Sequence, residues 1–174
     1  PDIELKDLRG NINTRIAKLN AGEYDAIILA ATGIQKLKIE NEVKYFSPIP
    51  TDVMIPSMGQ ATLGIETTND PRIIEIVSVL NDRDAQIEST IERSFVDTLQ
   101  GGCQVPIGVK ATIIDENSIR VQAIVGMPDG SESISEDITA NIEEFETIGQ
   151  NLAQLFIDQG ARDLLDRAEK LAFK

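Results

Sequence analysis

Ile3 and Leu5 alternate with polar neighbours, and alternation of that kind predicts a strand. Arg9-Gly10-Asn11 then turns the chain, and Ile12, Ile16 and Leu19 recur on one face of a helix predicted over 11–19. Tyr24 to Ala30 is nearly continuous apolar sequence, the pattern of a strand covered on both faces in a parallel sheet. Residues 33–39 read as a helix with Ile34 and Leu37 inward, and 43–46 as a short strand. Pro48, Pro50 and Pro56 mark irregular chain. Alternation returns from Ala61 to Glu66. Asp70 then caps a predicted helix that starts at Pro71 and carries a broad stripe of Ile73, Ile74, Ile76, Val77 and Leu80.

The polar break Asn81-Asp82-Arg83-Asp84 predicts a domain boundary. Beyond it, Ile87, Ile91, Phe95 and Leu99 recur at helical spacing over 85–100. Residues 107–114, 118–125 and 131–138 read as three strands, the last two joined by a turn at Met127-Pro128-Asp129-Gly130. Ile142, Phe145, Ile148, Leu152, Leu155 and Phe156 stripe a long helix ending near Gly160, and a last helix spans 161–172. Hairpin spacing predicts an antiparallel three-stranded sheet with helices on one face. The fold class is therefore α/β followed by α+β. Glu143, Glu144 and Glu146 read as a solvated helix face.

Composition narrows the function. The chain has 174 residues, no tryptophan, no histidine and one cysteine, which suits a reducing compartment and makes cytoplasm the expected location. No stretch reaches the ~20 apolar residues that a bilayer span needs, so no membrane partner is expected. The net charge of −13 argues against nucleic acid, whose backbone requires a basic face. An anionic small molecule is opposed by the overall field, but screening over ~8 Å leaves local charge to decide. Arg9 and Arg15 flank the first turn, where arginine forks suit carboxylates. A solvated pair, or a bridge to Asp7 or Glu23, accounts for them equally well.

The single cysteine lies in Leu99-Gln100-Gly101-Gly102-Cys103-Gln104-Val105-Pro106-Ile107-Gly108. Two glycines before it leave clearance and conformational freedom. A buried structural cysteine is one reading, with the glycines merely stopping a helix. With no histidine to pair with, and a helix end rather than a helix start before it, a nucleophilic thiol is poorly supported. The functional option is a thiol used as a covalent tether.

That stretch resembles the cofactor-attachment segment of the porphobilinogen deaminase (hydroxymethylbilane synthase) family. Asp7-Leu8-Arg9-Gly10-Asn11 with Thr14-Arg15, Gly22-Glu23-Tyr24-Asp25-Ala26, Pro56-Ser57-Met58-Gly59-Gln60 and Val125-Gly126-Met127-Pro128-Asp129-Gly130 resemble further motifs of that family, in order. The resemblance covers the chain from end to end and implies an enzyme whose amino-terminal part is absent. It implies that residues 1–54 are part of a second, periplasmic-binding-protein-like α/β domain, incomplete here. Residues 55–82 then cross back to a first domain, and 83–174 form the carboxyl-terminal domain. It implies a dipyrromethane cofactor bonded through a thioether to Cys103, with Gly102, Arg9, Thr14 and Arg15 around it. Lys36 and Gln60 then touch the substrate, porphobilinogen. Lys36 stands where arginine is common in the family, and Ala61 where glycine is common. No catalytic acid or base is expected in this chain and no metal site. The intact enzyme is expected to be a monomer. The fragment is expected to be inactive, to expose the apolar stripe of 73–80 and to self-associate. Two other readings compete: a small-molecule binding module without chemistry, and a purely structural fragment.

Overall fold

The computed structural model describes residues 3–100 and 106–172, and the chain divides into two compact units, Pro1–Ile49 and Pro50–Lys174. The first unit holds helix α1 (Ile12–Asn20) and helix α2 (Ala31–Leu37), with a single 3-10 turn at Glu40–Glu42. Asn11 caps α1 by accepting from the Thr14 N–H at 2.9 Å. Ile16 and Ile34 are buried, and Gly33 brings α2 close to α1, where a Cβ would lie 2.7 Å from Ile12 Cδ1.

The strands expected at 3–5, 24–30 and 43–46 do not form, nor does the one at 61–66. These segments are irregular, and Leu5, Ile28, Tyr45 and Leu63 are exposed. The described residues of the first unit are thus helices joined by irregular chain, and the expected strands are absent from them. The reason is that a strand exists only as one side of a ladder, and an apolar strand of the parallel kind needs neighbours on both sides. Nothing among the described residues supplies them. The Tyr24 hydroxyl instead donates to the Asp7 carbonyl at 2.7 Å.

In the second unit, Asp70 caps helix α3 (Pro71–Ser78), its carboxylate accepting from the Arg72 N–H at 3.0 Å. Ile73, Ile74, Ile76, Val79 and Leu80 remain exposed. Helix α4 (Arg83–Leu99) is capped by Asp82 and ends on Gln100, a non-glycine residue in the left-handed region at φ +58°. Strands β1 (Ile107–Ile113), β2 (Ser118–Gly126) and β3 (Ser133–Asn141) form an antiparallel meander in the order β1-β2-β3. Helices α5 (Phe145–Asp158) and α6 (Ala161–Ala172) close the unit.

Register puts one residue set inward. Val109 pairs with Ala123 and Ala111 with Val121, while Ile138 pairs with Val121. All of these meet Ile91, Phe95, Leu152, Phe156 and Leu164 in one core, so α4, α5 and α6 cover a single face. The Phe95 and Phe156 rings meet edge to face at 5.1 Å. Glu143, Glu144 and Glu146 are exposed, as the spacing predicts.

The opposite sheet face is crossed by residues 52–56. Asp52 accepts from Gln122 Nε2 at 3.0 Å and pairs with Arg120 at 3.0 Å. Ile55 lies over Gly108, where a Cβ would come 2.8 Å from the Ile55 carbonyl oxygen. The outer edge of β1 is sealed without a fourth strand. The Val109 N–H donates to the Pro56 carbonyl at 2.8 Å, the Ala111 N–H to Glu92 at 3.0 Å and the Ile113 N–H to Glu88 at 3.2 Å. The match is geometric: four helical residues rise about 6.0 Å, close to the ~6.7 Å between alternate strand residues.

Acid sensitivity follows from the surface carboxylates. The Arg120 side chain donates to Asp137 and holds it below its usual 3.8, against a smaller opposing effect of burial. Arg167 does the same to Glu132, and the Ser131 hydroxyl and N–H to Asp129. A carboxylate whose pKa falls on folding stabilises the fold above its unfolded pKa. That contribution disappears as pH falls through the folded value. The thermal midpoint of this unit is therefore expected to be level from about pH 7 to about pH 5 and to drop below about pH 4. Asp137→Asn should flatten part of that drop in a series of melts.

Candidate functional site

Three of the expected site residues gather around the first turn of α1. Gly10 sits at φ +124°, where a Cβ would lie 2.9 Å from Thr14 Cβ, so the turn requires glycine. Arg15 Nε donates to the Gly10 carbonyl at 2.7 Å, which fixes the guanidinium plane and leaves its two terminal nitrogens without a partner among the described residues. Arg9 is nearly fully exposed and only 3.8 Å from the equally exposed Asp7, a pairing worth little in water. Thr14 Oγ1 donates to Asn11 Oδ1 at 2.9 Å and so serves the helix cap first.

Lys18 joins this group, its ammonium reaching the Arg9 carbonyl at 3.4 Å. Sequence reasoning missed it, although it follows Arg15 by three positions and so lies on the same helix face. Three cations on and just before α1 give a local positive field in an acidic chain. The α1 N-terminus adds its partial positive charge. Such a cluster can hold carboxylates. Lys36 stands apart, exposed on the last turn of α2 in the same unit.

Gln60 belongs to the second unit. It closes a turn in which its N–H donates to the Ser57 carbonyl at 3.3 Å and its Oε1 accepts from the Ser57 hydroxyl at 3.3 Å. Gly59 is at φ +66° and Ala61 at φ +73°. Alanine in the left-handed region is strained by ~1–2 kcal/mol, which glycine relieves at some entropic cost. Ala61→Gly is thus expected to raise stability by up to about 1 kcal/mol, read as a higher denaturation midpoint.

Cys103 and Gly102 lie outside the described residues. Both flanks of that stretch are described and firmly held: Leu99 is buried at the end of α4, and the Gly126 N–H donates to the Pro106 carbonyl at 3.1 Å ahead of β1. Beside Pro106 a groove of 380 Å³ runs over the outer sheet face, lined by Ile55, Gly108, Ile124, Gly126 and Met127. Among the described residues no three His, Cys, Asp or Glu side chains are grouped to hold a metal ion. No helix among them is long and apolar enough to cross a membrane.

Comparison with known proteins addresses both units. Residues 1–75 match the family model described as porphobilinogen deaminase, dipyromethane cofactor binding domain. Residues 86–158 match the model of the porphobilinogen deaminase C-terminal domain. The chain is 87% identical over 174 residues to porphobilinogen deaminase of Aliarcobacter butzleri, all of this chain and 56% of that protein. It is 52% identical over 174 residues to the protein of that name from Nitratiruptor sp., again 56% of its length. It is 51% identical over 171 residues to that from Sulfurimonas denitrificans, covering 98% of this chain and 55% of the relative. The chain thus spans little more than half the length of the curated relatives it matches. On the two matched models and these identities, the chain belongs to the porphobilinogen deaminase family.

Proposed function

We propose that the full-length protein is a hydroxymethylbilane synthase, joining four porphobilinogen units head to tail, with release of ammonia, in tetrapyrrole and haem biosynthesis. The observation that carries this reading is the Gly101-Gly102-Cys103 stretch, set between two firmly held elements in a chain of this family. Cys103 holds dipyrromethane through a thioether, and that group, when bound, supplies the primer on which the product grows. The donor set fits such a ligand. Exposed Arg9 and half-buried Arg15 offer guanidinium groups to its carboxylates; Thr14 and Gly102 are the further residues assigned to the cofactor, and Lys36 and Gln60 those assigned to the incoming porphobilinogen. A guanidinium fork holds a carboxylate through parallel charge-assisted hydrogen bonds.

The rest of the reading concerns organisation. Residues 1–54 form part of a periplasmic-binding-like α/β domain whose strands pair only in the longer protein. Residues 55–82 cross to its first domain, and 83–174 are the carboxyl-terminal domain. The exposed stripe of α3 supports a partner for that helix: the rest of the protein in the monomeric, cytoplasmic enzyme, or a second copy when this chain stands alone. The chain alone is inactive, since none of its residues is assigned as acid or base.

The test is the intact mass of the full-length protein, with porphobilinogen consumption measured on the same sample. The expected result is a dipyrromethane adduct on the peptide containing Cys103. A protein with neither adduct nor consumption refutes the reading. Arg9→Leu and Arg15→Leu should each lower turnover by ~10- to 100-fold, the loss of one charge-assisted contact of about 1.5–3 kcal/mol. Unchanged turnover removes that arginine from the site.

A further inference from the structure

Glu92 is 3% exposed, and two other stretches of chain converge on its carboxylate. Oε2 accepts from the Gly59 N–H at 2.7 Å. Oε1 accepts from the Ala111 N–H at 3.0 Å and from the Lys110 ammonium at 3.4 Å. A buried carboxylate with this many donors is costly to remove, because each donor is then left unpaired away from water. The stretches it joins are the turn carrying Gln60, the helix that runs into Gly101–Val105, and the strand that follows. Glu88 is its control. One turn earlier on α4, it accepts from the Ile113 N–H at 3.2 Å and from Lys110 at 3.0 Å. Among the described residues it makes no hydrogen bond to the turn at 57–60.

The turn itself depends on that anchor. Gly59 and Ala61 are both in the left-handed region, and Gln60 sits between them. Where the Gly59 N–H is held decides where the Gln60 side chain points.

We propose that Glu92 is a positioning residue for the reaction: it fixes the Gly59–Gln60 turn to the two elements that flank Cys103. Gln60 and the tethered group then keep one register through successive additions. The inference rests on the reading of Cys103 and Gln60 proposed above.

Three variants of the full-length protein test it: Glu92→Ala, Glu92→Gln and Glu88→Ala. The readouts are kcat and KM for porphobilinogen on cofactor-loaded protein, and amide exchange at Gly59, Ala111 and Ile113. Glu92→Ala is expected to lower kcat tenfold or more with KM changed less than threefold, and to speed exchange at Gly59 and Ala111 at least tenfold. Glu92→Gln keeps one carbonyl oxygen for a backbone donor and should fall between. Glu88→Ala should speed exchange at Ile113 while leaving kcat within threefold. The proposal is overturned if Gly59 exchanges faster in Glu92→Gln with kcat unchanged. It is equally overturned if Glu88→Ala lowers kcat as much as Glu92→Gln, since both carboxylates then merely seal an edge. Those two variants decide the matter alone should Glu92→Ala fail to fold. A wild-type protein without adduct and without turnover defeats the underlying reading and this inference together; a loaded, active wild type with either overturning result defeats only this one.

Discussion

Gly149→Val is expected to leave the second unit unable to fold cooperatively. A Cβ at Gly149 would overlap the Ile91 carbonyl oxygen and lie 2.9 Å from the Phe95 nitrogen and 2.9 Å from Ser94 Cβ. Two of those three atoms are helix backbone, which cannot swing aside as a side chain does. α5 must therefore rise off α4, and the Phe95–Phe156 contact that closes the core opens with it. Overpacking typically costs ~1–3 kcal/mol and more when backbone must move, against a total stability of about 5–15 kcal/mol for a domain. Gly149→Ala should lose about 3 kcal/mol in urea denaturation, at the upper end of that range. Gly149→Val should show no cooperative transition. An alanine variant with the wild-type midpoint would mean that the two helices separate at no cost.

Cys103→Ala in the full-length protein should abolish the mass adduct and lower porphobilinogen turnover by roughly 10³-fold or more, the scale of losing a held reactant. Folding should be unaffected, because Leu99 and Ile107 on either side are packed into the core. Circular dichroism and the thermal midpoint check that. Full turnover by a folded Cys103→Ala protein would end the tether reading, whatever the family.

The carboxyl-terminal unit was readable from pattern because its patterns are self-contained. Ile87, Ile91, Phe95 and Leu99 recur every four residues, and all four are buried. The three strands pair with their sequence neighbours, so hairpin spacing alone implies their order. Only β3 shifts, starting at Ser133 and ending at Asn141, because its inward Ile134, Ile138 and Ala140 are only partly covered and mark its ends weakly. The strands expected in the first unit are missing for the opposite reason. Ile27, Ile28 and Leu29 record that a strand there would be buried on both sides, but not whether its neighbours are at hand.

The site divides along the same line. Arg9 and Arg15 are visible because a turn and a helix start are local signals. Lys18 carries no such local signal, since a lysine on a helix face is ordinary. Glu92 follows Ile91 directly, so a helical pattern assigns it to the wet face; only the approach of Gly59 and Ala111, distant in sequence, makes it a buried anchor. Ala61 carried half a signal, alanine where glycine is common, and φ +73° gives that substitution a physical meaning.

The side-chain seal along β1 also bears on how the protein behaves in a crowded solution. A free strand edge is a template on which another molecule can deposit its own strand, and that is how many sheet proteins begin to aggregate. Here the outward N–H groups of Val109, Ala111 and Ile113 are already taken, two of them by charged groups. An intruding strand would have to displace the buried Glu92 carboxylate and the half-buried one of Glu88 to dock. β3, the other border of the sheet, carries Glu136 and Asp137 near its middle, so approaching chains meet negative charge there as well. Runaway sheet growth is thus discouraged at both borders of the meander, and aggregation of this chain should start from α3 or the irregular apolar segments instead.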